Sequence, residues 1–132
     1  MKQRIRKIDR ILKVQEHLKR EAELRLSLLE RESADLKTAQ EMIIQSMNDH
    51  ETLHGLFVDV AAKRLQILST QASHVEKAKV KQRSVTLDKA MQAKRAEKML
   101  LDLKDQNRRE MEKKDLASII ETLAKGSRAS FP

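Results

Sequence analysis

The chain has 132 residues, 36% of them charged and 39% hydrophobic, with two Gly, one Pro, two Phe and no Trp, Tyr or Cys. So few large aromatics argue against a thick globular core, and the lack of Cys excludes disulfides, thiolate metal sites and cysteine nucleophiles. The net charge of +8 is uneven, since the first twenty residues carry eight Lys or Arg against Asp9 and Glu16. A second basic stretch follows at Lys77, Lys79, Lys81 and Arg83. Such a balance suits an acidic protein, a membrane surface or nucleic acid, and solvated faces of long helices produce it equally well.

Residues 3–48 read as a first helix. Alternate steps of three and four from Ile8 meet Ile11, Gln15, Leu18, Ala22, Arg25, Leu29, Glu32, Leu36, Ala39 and Ile43. Eight of these eleven positions are apolar, a heptad seam with polar interruptions at Gln15, Arg25 and Glu32. Leu12, Leu26, Leu28 and Met42 widen the stripe. The opening stretch from Ile5 to Leu12 is a basic amphipathic segment that could rest on an anionic membrane. The simpler reading is that Ile5, Ile8 and Leu12 begin the seam.

The best turn lies over 49–56, where Asn48, Asp49 and Gly55 are poor helix formers. A second candidate is 69–73, where Ser73 and Glu76 make a capping-box pattern. That pattern recurs at Ser27/Glu30, Thr38/Glu41 and Ser118/Glu121, so it discriminates little.

Residues 57–125 read as the second helix. Between Gly55 and Gly126 lie seventy residues without Gly or Pro, rich in strong helix formers. An unbroken helix of that length would reach roughly 105 Å, more than any compact domain of this size can enclose. The rest of the chain must therefore lie alongside it. Leu56, Phe57, Val60, Leu65 and Leu68 open it densely. Val75, Ala78, Val85, Ala90, Ala93 and Ala96 continue more thinly, and Met99, Leu100, Leu101 and Leu103 thicken it again. With a turn near residue 52, Ile5 meets Met99 and Leu100, and about twenty residues beyond Leu103 overhang without a partner in the chain. In that overhang Leu116, Ile119, Ile120 and Leu123 share one helical face, which implies another protein or a second copy. Met42, Met47, Met91, Met99 and Met111 are read as seam filler, and 127–132 as a flexible tail. The expected fold is all-α, a long antiparallel two-helix coiled-coil hairpin.

His50-Glu51-Thr52-Leu53-His54 matches H-E-x-x-H, which on a helix sets two His on one face with Glu51 as a base for zinc-bound water. A zinc peptidase needs a third ligand, and His74 or Glu76 would lie ~30 Å away along a straight helix. The metzincin continuation is also missing, as Gly55 and Val58 do not fit it. Ordinary turn residues are the expectation, with no metal and no cofactor. Two glycines cannot build a P-loop or a G-x-G-x-x-G turn. Interleaved acids and the lack of stacking aromatics speak against specific nucleic-acid binding. No apolar run approaches the ~18 residues of a membrane span, and no apolar region follows the basic N-terminus, so a cytoplasmic, non-enzymatic protein is expected.

The start Ile8-Asp9-Arg10-Ile11-Leu12-Lys13-Val14-Gln15-Glu16, followed by a long heptad helix, resembles the FliJ family of flagellar type III export proteins. So does the ending: residues 94–103, then Arg108-Arg109-Glu110-Met111-Glu112-Lys113-Lys114-Asp115, then the apolar 116–120. The YscO-type proteins of virulence secretion are similar. The resemblance covers nearly the whole chain in length, charge and hairpin plan. It implies a coiled coil similar to the stalk subunit of rotary ATPases, one that inserts into the hexameric export ATPase and promotes its assembly and activity. It also implies contacts with the cytoplasmic domain of the export gate and with export chaperones, at the cytoplasmic side of the inner membrane. Mapped by position, the ATPase-facing residues would be Ile5, Ile8, Ile11, Leu12, Met99, Leu103, Arg108, Arg109, Met111, Leu116, Ile119, Ile120 and Leu123. The turn region and the middle would serve the gate and chaperones. The apolar stretch over 56–73 exceeds what a bare stalk requires and could pair copies of the protein.

Overall fold

The computed structural model describes residues 1–49 and 55–129. They form two helices, α1 (Lys2–Asp49) and α2 (Leu56–Ala129), and no strand is present among them. The two helices pack against each other, an all-α hairpin. The turn expected over 49–56 falls largely on residues 50–54, outside the described residues. Gly55, just before α2, has φ +83°, a conformation that a residue with a Cβ adopts only under strain. The alternative break over 69–73 is helix: Thr70 donates its hydroxyl to the Gln66 carbonyl at 3.0 Å, an ordinary mid-helix back-bond. Gly126 does not stop α2, which continues to Ala129 rather than giving way to a tail at 127. One glycine near a helix end lowers propensity by about 1 kcal/mol, too little to fix a terminus.

Contact density divides the chain into two units. One pairs residues 1–16 with residues from 91 onward, and the other comprises 17–90. In the first unit Leu12, Ala96 and Leu100 are buried together, with Ile5 and Ile8 against them. Ala93 and Leu103 are also buried. Ile5 thus meets the Leu100 region, the pairing read from the hairpin. In the second unit the buried residues are Ala22, Ala61, Leu68 and Val75. There Gln82 Nε2 donates to the Ala22 carbonyl at 3.1 Å. Thr86 Oγ1 lies 3.2 Å from the same oxygen and 2.8 Å from the Gln82 carbonyl. Ser33 Oγ sits 3.5 Å from Glu76 Oε2, which also meets Lys79 Nζ at 3.4 Å.

The seam on α1 departs from the sequence reading at three of its eleven positions. Ile8, Gln15, Ala22, Leu29, Leu36 and Ile43 are shielded as expected. Leu18 and Ala39 are shielded as read too, and only three positions move by one residue: Leu12 replaces Ile11, Leu26 replaces Arg25 and Ser33 replaces Glu32. Both phases alternate three and four, so spacing alone does not separate them. Desolvation does. The observed phase leaves Arg25 and Glu32 in water, where the other would bury two charges.

Candidate functional site

In the first unit, α2 outlasts α1. Met1, Lys2 and Gln3 share a groove with Asn107, Glu110, Met111 and Lys114, and no later residue of α2 lines it. The chain's own pairing therefore reaches further than Leu103, and the unpaired segment is shorter than the sequence implied. Every side chain from Arg108 to Ser127 is exposed. The helix persists there because Ala, Leu, Lys and Glu favour it, aided by spaced ion pairs. Asp105 meets Arg108 at 2.8 Å and Arg109 at 3.1 Å, and Lys125 meets Glu121 at 3.6 Å. Each such exposed pair contributes only a few tenths of a kcal/mol.

On this segment Leu116, Ile119, Ile120 and Leu123 are 58%, 56%, 58% and 67% exposed. Their spacing, i, i+3, i+4 and i+7, places them on one face, the pattern by which a helix enters an apolar groove. The face is not the seam prolonged. Continuing the seam from Ala96, Leu100, Leu103 and Asn107 meets Glu110, Lys114, Ala117, Glu121 and Ala124. At 100° per residue the apolar face lies roughly 135° around from that line. The stripe therefore does not wait for a longer α1. It lies off the face on which α1 packs.

The other expected contact residues divide by environment. Leu12 and Leu103 are buried and Ile5 and Ile8 half-buried in the chain's own core, so they already have partners. Ile11, Met99, Arg108, Arg109 and Met111 are exposed. Sequence reading found the terminal stripe but missed its rotation, which follows only once the seam phase is known. His50, Glu51 and His54 lie outside the described residues. Among the described residues no three His, Cys, Asp or Glu side chains are grouped to hold a metal, and His74 is exposed on mid-α2. No helix among them is long and apolar enough to cross a membrane. No family model matches the chain, and neither a curated protein nor a solved structure matches it.

Proposed function

We propose that the chain is a non-enzymatic stalk of a flagellar-type III export apparatus, binding the hexameric export ATPase and promoting its assembly and activity. On this reading it is an antiparallel two-helix coiled coil, also contacts the export gate and export chaperones, and works in the cytoplasm beside the inner membrane. Supporting the antiparallel plan, partner numbers fall along α2 as they rise along α1: Ala22 meets Gln82 and Thr86, Ser33 meets Glu76, and Ile43 shares a groove with Ala61. The alternating three-and-four spacing of shielded residues on each helix supports the coil.

The observation that carries the reading is the unpartnered stripe at residues 116–123. Burying four aliphatic side chains is worth about 6–12 kcal/mol gross. Association itself costs several kcal/mol of that. The net suits a reversible docking contact rather than a permanent interface. The resemblance to FliJ supplies the partner's identity.

The test is the hydrolysis rate of a flagellar-type export ATPase with and without the chain, beside a variant lacking residues 116–132. Stimulation that disappears with the truncation is expected. No stimulation by the intact chain and no co-elution with the ATPase would overturn the assignment. Pairing of the stripe with a second copy would then leave a homodimeric scaffold.

A further inference from the structure

The first three turns of α1 have an outward face that the seam does not use. Gln3, Arg6, Lys7 and Arg10 line one shallow groove. Their spacing, i, i+3, i+4 and i+7, sets them on one face, opposite the seam residues Ile5, Ile8 and Leu12. Arg10 also lines the next groove with Ile11, Val14 and Gln15. Among the described residues none of Arg6, Lys7 and Arg10 joins an ion pair, whereas Lys13 nearby is held by Asp9 at 3.2 Å. Three cations are thus left without a counter-charge on one exposed strip.

Two further features sharpen this. The first turn of α1 contains no acidic residue and does contain Lys2 and Arg4. That end of a helix carries the positive pole of the backbone dipole, so cations there are locally unfavourable and an incoming anion relieves the conflict. The charge is also concentrated. Residues 1–16 and 91–132 hold sixteen basic and nine acidic side chains, against twelve and eleven in 17–90. Net charges of +7 and +1 follow from those counts.

We infer that the Arg6/Lys7/Arg10 face of α1 is a docking surface for an acidic amphipathic helix of a partner protein, separate from the apolar stripe of α2. A bilayer fits less well. The large apolar residues of this stretch face α2, so the basic face has only Ile11 and Val14 beside it to offer to lipid. Single-stranded nucleic acid fits less well too, because no Phe, Tyr or Trp precedes Phe57 to stack on a base. An acidic helix suits both features: its carboxylates meet the three cations, and one apolar edge covers Ile11 and Val14.

The experiment uses the intact chain and a fluorescent synthetic helix of Glu and Leu in heptad pattern, followed by anisotropy. Vesicles of phosphatidylcholine and phosphatidylserine and an oligouridine RNA are titrated in parallel. The variant Arg6→Gln/Lys7→Gln/Arg10→Gln is compared with Lys77→Gln/Lys81→Gln/Arg83→Gln, which removes equal charge from elsewhere. Gln keeps helix propensity high, and circular dichroism checks that both variants retain their helix content. The expected result is a loss of about tenfold or more in peptide affinity for the α1 variant and less than about twofold for the control, with binding weakened by salt. Equal losses in both variants would reduce the effect to net charge and overturn the proposal. Vesicle or RNA binding tighter than peptide binding, and abolished by the α1 variant, would overturn it in favour of lipid or nucleic acid.

Discussion

Leu12 and Ile11 are neighbours in sequence and opposites in environment, at 9% and 41% exposure. A single residue of phase separates a core position from a surface one. Leu12→Ala should cost about 2–3 kcal/mol, through lost transfer energy and the cavity left against Ala96 and Leu100. Ile11→Ala should cost under about 1 kcal/mol. Urea unfolding followed by circular dichroism reads both, and a larger loss at Ile11 would restore the other seam phase. Gln15 is the complementary case. Its Oε1 is buried without a hydrogen-bond partner, a desolvation cost of about 1–3 kcal/mol. Gln15→Leu should therefore raise the melting temperature. A lowered one would mean that the amide fixes register in a way the apolar replacement cannot. Gly55→Ala is predicted to cost about 1 kcal/mol through backbone strain at φ +83°, since among the described residues nothing lies within 4 Å of the added Cβ.

At the scale of the element, much was legible in the sequence. The absence of breakers over 56–125 and the sparse aromatics imply long paired helices, and the structure has two. The poor helix formers at 48–55 locate the interruption between Asp49 and Leu56. The seam was legible at eight of its eleven positions and missed at Ile11, Arg25 and Glu32. Ile8, Ala22 and Leu36 fit either phase, and the deciding contrast, Leu26 against Arg25, is a matter of desolvation rather than spacing. The rotation of the terminal stripe was invisible for the same reason: an angle between two faces needs both faces placed. That rotation makes a prediction of its own. Ile119→Asp/Ile120→Asp changes side chains that are more than half exposed, so its stability should match the parent within about 0.5 kcal/mol. Under the proposed function, the same variant should lose stimulation of the export ATPase. A marked fall in stability would show that the stripe has an internal or self-associated partner after all.

At the scale of the whole molecule, support along α2 is unequal, and stability should follow it. Around Ala93, Ala96, Leu100 and Leu103 the helix is held by buried side chains, whereas past Lys114, the last α2 residue in the groove with the N-terminus, its side chains to Ser127 are all exposed. An isolated helix of about twenty residues is marginal in water, because nucleation is costly and each propagation step gains little. Amide hydrogens over 112–127 should therefore exchange at least about a hundredfold faster than those over 93–103. The measurement is hydrogen–deuterium exchange by mass spectrometry, repeated across a range of protein concentration. Under the proposed function, adding the export ATPase should slow exchange over 116–123 in particular, since docking would fix that face. Slow exchange of the segment in the free chain, growing with concentration, would mean that two copies cover each other's stripes, and the docking partner would then be the protein itself. Slow exchange independent of concentration would contradict the exposed end described here, and with it the reason for assigning the stripe to a partner.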